Sequence, residues 1–240
     1  MKTTVRLLTL LGVLVLVPFA MAGVYLEQVV KSDPVTVMGK TQPARETVQK
    51  IFLADDRMAS ENSDGMSVIV RLDQKKIYFI NTQGKSYQVS DLPLKFPPEM
   101  QQMMAAFQFT TDIQKTGKRQ QVGAYNCEEV VMTLKGFMNF TIRMWCTGDI
   151  RMPYDKYYAM SAEMVAYSPA IKQMMEKMRS LGNLYAVEQE MTGEVMGTKT
   201  RSVTKLVNFD ANASIPADKF NPPANFKQEQ LDFQKLMQRQ

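Results

Sequence analysis

The sequence predicts an α+β chain in which helices interrupt an antiparallel meander of strands. Short runs with strand-like alternation dominate the first half, and turn signals such as "NSDG" and "NTQG" separate many of them. Two stretches further along the chain keep helical spacing instead. Successive strands with short connections favour antiparallel pairing, because parallel neighbours need long crossovers. We therefore expect one sheet built mainly from strands that are neighbours in the chain.

The predicted strands follow one another with few breaks. In the run "MSVIVRL" we expect every second side chain to face the more buried side of the sheet; these residues are Val68, Val70 and Leu72. The other predicted strands are "VYLEQVV", "ETVQKIFLA", "KKIYFIN", "KSYQVS", "FTTDIQK", "LYAVEQEMTG" and "KTRSVTKLVNF".

Two segments predict helices. The first covers residues 97–107, where two prolines suit the first helical turn. The second spans about residues 154–180, and the pair Ser168 and Pro169 predicts a break into two helices, with Ser168 as an N-cap. Gly182 then fits a C-terminal cap.

The first 22 residues have the organisation of an export signal. A basic start precedes the apolar run "LLTLLGVLVLVPFA", and "AMA" at residues 20–22 places small side chains before a cleavage point. The run is shorter than the roughly 20 apolar residues of a membrane span. We expect residues 1–22 to be a signal peptide and residues 23–240 to form a single domain, exported to the periplasm and soluble after processing.

The chain contains no histidine, and this absence excludes several kinds of site. A Ser-His-Asp triad, a Cys-His pair and a histidine-ligated zinc site all need an imidazole. No glycine-rich phosphate loop follows the signal segment. The net charge is +5, and the basic residues form no Lys/Arg-rich run. This distribution argues against nucleic acid as a partner. We therefore expect a protein that is not an enzyme and that holds no cofactor and no metal.

Two cysteines bracket a predicted hairpin. If the hairpin turns directly after Gly136, Cys127 falls opposite Cys146, and Val130 falls opposite Arg143. An exported chain meets oxidising conditions, so we expect a structural disulfide between the two cysteines. The chain has no CxxC motif, which argues against a redox-active pair.

Methionine-rich stripes run along the predicted helices. Their members, our candidate ligand-binding residues on lid helices, are Met100, Met103, Met104 and Phe107 in "PPEMQQMMAAF" and Met174, Met175 and Met178 in the later segment. Three interpretations remain open. The stripes can be fixed core that fills irregular gaps, they can cover an apolar guest whose shape flexible thioether chains follow, or their sulfur atoms can bind Cu(I).

Four further stretches together span most of the chain after the signal: "VIVRLDQKKIYFINTQGKSY", "GAYNCEEVVMTL", "RMWCTGDI" and "FNPPANFK". In these stretches the chain resembles a family of exported bacterial proteins of unknown function, related in fold to the outer-membrane lipoprotein carrier LolA. The resemblance implies a strongly curved antiparallel sheet, an incomplete β-barrel, with helices capping its concave face. In the carrier relatives the covered cavity accepts lipid or acyl chains. The resemblance supplies no functional residues.

These observations predict a binding function. We expect a lipoprotein-carrier-like half-barrel that binds an apolar ligand, such as a lipid or an acylated protein, mainly by burying its apolar surface. The alternative is an envelope protein-interaction or sensor module without a lipid cargo, which would bind another protein through its outer surface or by strand addition at an open sheet edge.

Overall fold

The computed structural model describes residues 20–37, 40–101, 109–136, 139–164, 169–195, 197–233 and 236. The strands in these residues are β1 (Ala20–Ser32), β2 (Val35–Val37), β3 (Lys40–Gln42), β4 (Arg45–Ala54), β5 (Arg57–Asn62), β6 (Met66–Arg71), β7 (Lys76–Asn81), β8 (Ser86–Asp91), β9 (Phe109–Val122), β10 (Tyr125–Gly136), β11 (Asn139–Thr147), β12 (Tyr185–Val195), β13 (Thr198–Pro216) and β14 (Lys227–Glu229). The helices between β11 and β12 are α1 (Tyr154–Met164) and α2 (Pro169–Ser180). Residues 98–101 are also helical.

One large curved sheet dominates the fold, which is mostly β. Its strand order is β14-β8-β7-β6-β5-β4-β1-β13-β12-β11-β10-β9, and β2 pairs with β3 separately. Neighbouring strands pair antiparallel, except for β14, which runs parallel to β8. The predicted antiparallel sheet is therefore confirmed. Within the described ranges its two edges, β14 and β9, do not pair with each other, so the sheet stays open.

Both helices pack on the same face of the sheet, which we call the helix-bearing face. Met160 of α1 lies in a core cluster with Leu26 of β1, and α2 packs on a second cluster that contains Met144 of β11. The pairing register connects the two clusters along one face, because Thr204 of β13 lies opposite Gln189 of β12, and Gln189 lies opposite Met144.

The C-terminal segment, residues 217–229, covers the opposite face of β6 and β7. Phe220, which is fully buried, belongs to a cluster with Ile69 and Ile80, and Phe226 packs against that cluster. Val70 is fully buried on the helix-bearing face, but Ile69 on the other face is buried as well. The expectation that one face of this strand is the more buried one is wrong, because the C-terminal segment covers the second face.

Arg71 anchors the C-terminal segment to β6. Its Nε and Nη2 donate to the two carboxylate oxygens of Asp73 at 2.8 and 2.7 Å. Its Nη1 donates to the carbonyl oxygen of Phe220 at 3.1 Å and to Oδ1 of Asn221 at 2.7 Å. The hydrogen bonds from Arg71 lower the pKa of Asp73, and so does the neighbouring charge of Arg57. The buried guanidinium therefore has a charged partner and four hydrogen bonds.

The region predicted to be helical contains two described helices, and the predicted break between them lies outside the described residues. α1 ends at Met164 and α2 begins at Pro169, the residue predicted to be the first of its helix. Gly182 has φ +101°, and its N–H donates to the carbonyl oxygen of Arg179 at 3.1 Å, as a C-terminal glycine cap does. The predicted N-cap Ser168 lies outside the described residues.

The predicted processing point lies inside β1. Residues 20–22 pair with β13, and Gly23 follows at a position where a Cβ atom would overlap the carbonyl oxygen of Leu53. Residues 1–19 are outside the described ranges, so the signal peptide and the boundary before residue 23 stay predictions. No helix among the residues described here is both long enough and apolar enough to cross a membrane.

Candidate functional site

α2 places its methionines in two environments. Met174 and Met178 face the sheet and pack against a buried cluster that includes Met132 of β10 and Met144 of β11. Met175 points away from the sheet and lines a groove of about 450 Å³ between α1 and α2. Met174 and Met178 therefore form the contact between α2 and the sheet, and Met175 does not take part in it.

Met100 lies in a different part of the molecule. It is buried, and it lines a groove of about 610 Å³ together with Phe233, a residue near the C-terminus. The ring of Phe233 packs on Phe96, with 4.9 Å between the ring centroids. The structure therefore does not bring Met100 together with the methionines of α2. The other members of the first predicted stripe lie outside the described residues: Met103, Met104 and Phe107.

Two rows of side chains cross the helix-bearing face from β9 to β12. Residues that lie opposite each other in neighbouring strands share a face, so the pairing register defines both rows. One row consists of Ile113, Met132, Ile142 and Met191, and the other of Thr111, Leu134, Phe140 and Gly193. We call the two rows together the apolar lane. It is about 14 Å long, at about 4.8 Å between strands.

The apolar lane is only partly covered in the described structure. Met132 is buried, whereas Ile113, Ile142 and Leu134 are half-buried around it. A Cβ atom at Gly193 would overlap the ring of Phe140, so this glycine allows the aromatic side chain to lie flat across β12. The lane therefore presents apolar side chains that the protein itself does not bury completely.

α1 and α2 differ in how tightly they pack on the sheet. Met160 of α1 is completely buried, and Tyr154 at the start of α1 is 7% exposed. Met174 and Met178 of α2 remain only partly buried although they face the sheet. α1 is thus part of a filled core, and α2 is a looser cover over the lane.

A polar pair lies where the apolar lane reaches the β9 edge. The side chain of Thr111 is buried, and its Oγ1 atom has no hydrogen-bond partner within the described structure. The Nζ atom of Lys177 in α2 donates a hydrogen bond to the backbone carbonyl oxygen of Thr111. Sequence reasoning did not find either residue, because only the placement of α2 over β9 brings them together.

The two cysteines are free, buried thiols, so the predicted disulfide is absent from the structure. The hairpin of β10 and β11 pairs Glu128 with Cys146, one residue away from the predicted register. A shift by one residue moves a side chain to the other face of a sheet. Cys127 accordingly packs in a different cluster from Cys146. Burial raises the pKa of the Cys146 thiol to about 12, so the thiol is protonated at neutral pH and is a poor nucleophile.

The observed hairpin register has a simple physical reason. It pairs apolar residues on the face that α2 covers; the pairs are Val130–Met144, Met132–Ile142 and Leu134–Phe140. The predicted register would have placed Val130 opposite Arg143, although Arg143 is exposed and Val130 is fully buried. Hydrophobic matching sets register where one face is buried, so the signal was present in the sequence.

Glu129 is a buried carboxylate near the site, on the face of β10 opposite α2. Its Oε2 accepts a hydrogen bond from Thr116 at 2.7 Å and lies 3.4 Å from Nζ of Lys118, and its Oε1 lies 3.0 Å from Nε of Arg143. The Thr116 hydrogen bond and then the cationic neighbours hold the pKa of Glu129 below its usual value. An ionised, fully paired carboxylate of this kind is a structural element of the sheet. Among the described residues, no group of three or more Cys, Asp or Glu side chains is arranged to hold a metal ion.

Comparisons with known proteins give a family but no function. A family model described as "Domain of unknown function (DUF4412)" matches residues 35–226. No curated protein matches the chain. Two structures of PNGF-II match at 11% and 12% identity, over 91% and 90% of this chain and 32% and 33% of that chain, with TM-scores of 0.39 and 0.40. The chain therefore spans about a third of the length of PNGF-II.

A crystal structure of a DUF1329 family protein from Desulfovibrio piger is also similar. The match has 12% identity and covers 85% of this chain and 91% of that chain, with a TM-score of 0.28. Similarities at these identities and TM-scores carry no argument about ligand or activity, so the site has to be interpreted from its own geometry.

Proposed function

The chain belongs to the DUF4412 family, whose description assigns no function, and we propose that it is a non-enzymatic protein that binds an apolar ligand between α2 and the apolar lane. The ligand class is a lipid or the acyl chain of a lipoprotein. The proposal includes export to the periplasm through the signal segment and a half-barrel architecture like that of lipoprotein carriers. The open curved sheet with helices on one face supports that architecture.

The observation that carries the proposal is the incomplete and deformable contact beneath α2. Met174 and Met178 are only partly buried, and so are Ile113 and Ile142 below them. Thioether side chains have no branch and adapt to several shapes, which is why methionine is common at surfaces that accept different guests. The contact under α1, where Met160 is completely buried, offers no comparable freedom.

Binding would replace contacts rather than fill an existing cavity. The side chains of Met174 and Met178 would swing aside, and the guest would lie in the apolar lane, in contact with residues such as Leu134 and Phe140. Each CH₂ group transferred from water to such a surface contributes about 0.8 kcal/mol. α1 stays packed on the sheet and keeps the strands in place while these two methionine side chains move.

A fluorescent fatty-acyl probe tests the proposal. Met178→Asp places a carboxylate over the lane, and Met175→Asp makes the same change on the outer side of α2, as a matched control. Burial of an unpaired polar group costs about 1–3 kcal/mol, so Met178→Asp should weaken probe binding by about tenfold or more, and Met175→Asp should leave it unchanged. Met178→Leu nearly conserves volume, and it should narrow the range of chain lengths bound with little loss of melting temperature.

Two results would contradict the proposal. One is a wild-type protein that binds no acyl probe. The other is a Met178→Asp protein that loses thermal stability but binds the probe as wild type does, because that result would make α2 fixed core. Lipid analysis of protein purified gently from its own host's envelope provides independent support if a lipid is recovered in a constant ratio to the chain.

The alternative function, strand addition at an open sheet edge, has less support. The edge strand β9 carries Lys115, Lys118 and Arg119, and the register shift around Gly117 interrupts its regular pairing with β10. Lysine side chains and bulges are features that protect edges against pairing with another chain. Lys177 also donates a hydrogen bond to the backbone carbonyl oxygen of Thr111 in this edge strand. These features favour the ligand-binding function over binding of a protein partner through β9.

A further inference from the structure

We infer that the ligand carries an anionic head, which Thr111 and Lys177 bind at the β9 end of the apolar lane. The inference rests on the proposed function and makes its ligand specific: a hydrocarbon chain with a carboxylate or a phosphate at one end. Its basis is the polar pair at the sheet edge, in which the buried Oγ1 atom of Thr111 has no hydrogen-bond partner among the described residues.

The hydroxyl of Thr111 is the first part of the argument. The residue is 7% exposed, and its Oγ1 atom lacks a hydrogen-bond partner among the residues described. Buried hydroxyl groups in proteins are nearly always hydrogen-bonded, because leaving one unpaired is unfavourable. Thr111 lies opposite Leu134, so its side chain is on the helix-bearing face, in line with the apolar lane. An oxygen atom at the end of a chain in the lane would accept the missing hydrogen bond.

The ammonium group of Lys177 is the second part. Its Nζ atom donates to the carbonyl oxygen of Thr111, which holds the charge beside the hydroxyl. An ammonium group has three N–H donors, and this bond uses one of them. The neighbouring carboxylate on β9, Asp112, belongs to the opposite face of the strand. The pair therefore offers a positive charge and a hydroxyl to one incoming group, a combination that suits an anion.

The lane determines how the ligand is oriented. From Thr111 at the edge, the second row continues inward over Leu134 to Phe140, and Gly193 leaves room for the Phe140 ring. A chain bound along this row has its head at the sheet edge and its tail towards β12. A hydrocarbon with a neutral head gains only the free energy of burying its apolar chain. A cationic head is repelled by the positive charge of Lys177. The site is thus specific for the charge of the head as well as for the apolar chain.

Matched twelve-carbon ligands test the inference: dodecanoate, dodecyl phosphate, dodecanol and dodecyltrimethylammonium, measured below their micelle concentrations by displacement of the acyl probe. Hydrogen bonds to charged groups stabilise by about 1.5–3 kcal/mol, so the wild-type protein should bind the better of the two anions about ten- to a hundredfold more tightly than dodecanol. The stronger of dodecanoate and dodecyl phosphate identifies the head as a carboxylate or a phosphate. The cation should bind more weakly than dodecanol.

Two variants and one control assign the effect to the polar pair. Lys177→Gln should remove most of the preference for the anion over dodecanol. Thr111→Val, which keeps the shape and removes the hydroxyl, should weaken anion binding by about three- to tenfold without lowering the melting temperature. Lys172→Gln changes the same charge on the side of α2 that lines the groove between the helices, and it should have no effect on the preference.

The outcomes separate the inference from the function on which it rests. Equal affinity of the wild-type protein for the anions and dodecanol overturns the inference, and so does an unchanged preference in both Thr111→Val and Lys177→Gln. In either case the binding of all the chains still supports the proposed function. If none of the chains binds, the proposed function fails and the anionic head fails with it.

Discussion

Replacement of Arg71 by methionine should detach the C-terminal segment from the sheet. Methionine keeps most of the apolar part of the arginine side chain but removes its charge and all five of its N–H donors. Arg71 is 6% exposed, so water cannot replace the lost partners easily. The carbonyl oxygen of Phe220, a completely buried residue, loses the hydrogen bond from Nη1, and Asp73 loses its bidentate partner.

The expected loss of stability is about 3 kcal/mol. Breaking a buried ion pair by removing one partner costs about 3–5 kcal/mol. The lower end applies here because the Asp73 side chain is 30% exposed and keeps a second partner, Nη2 of Arg57 at 3.2 Å. Arg179→Met is the matched control, since Arg179 lies 2.6 Å from Asp155 but both side chains are largely exposed. Exposed pairs contribute about 0–1 kcal/mol.

Urea unfolding followed by circular dichroism measures both variants. With a slope of about 1–3 kcal/mol per molar urea, the Arg71→Met midpoint should fall by about 1–3 M, and the Arg179→Met midpoint should stay close to wild type. Limited proteolysis should also cut the Arg71→Met protein first within the segment around residues 217–229. If the two arginine variants lose the same small amount of stability, Arg71 does not hold the C-terminal segment and the explanation given for its burial is wrong.

Two further predictions concern the buried thiols and phenols. In the folded protein Cys127 and Cys146 should resist alkylation, and after unfolding without reductant both should react; a disulfide-linked peptide pair in a non-reducing digest would refute the observed register. Stability should also fall in alkaline solution, because burial raises the pKa of Cys146 to about 12 and also raises those of Tyr154 and Tyr185. These groups contribute fully to stability below their pKa values in the unfolded chain, which are about 9 for the thiol and about 10 for the phenols. The contribution decreases as the pH rises from there towards the pKa values in the folded protein, because the unfolded chain loses these protons first. Urea midpoints measured from pH 7 to 11 test this prediction, and an unchanged midpoint across that range would contradict it.

Local patterns were sufficient for most strands and for the two helices between β11 and β12. They failed at β5, "RMASEN", whose Arg, Ser, Glu and Asn residues do not suggest a strand. The structure pairs β5 on both sides, with β4 and β6, and buries Met58 and Ala59. Pairing on both sides therefore compensates for weak strand propensity, and a scan of single segments does not include that effect.

The candidate site depends on contacts that no local pattern contains. The methionines of α2 could be predicted to form an apolar stripe, but their incomplete burial follows from how α2 packs on the sheet. Thr111 and Lys177 are far apart in the sequence, and neither residue type is unusual for its own element. The hairpin register was predicted wrongly for a different reason: the prediction relied on counting from an assumed turn, whereas the match of Val130 with Met144 determines the register.

The position of β1 sets the order in which the sheet can be completed. Although it is the first of the described strands, β1 lies in the middle of the sheet, between β4 and β13, and its partners extend to Pro216. The strands β1 to β8 can pair as soon as they are synthesised, but β9 to β12 join them only through β13. An unfinished chain therefore contains two unconnected sheets with exposed edges. Because the apolar lane lies in the second sheet, a ligand cannot meet a finished site until almost the entire chain is present.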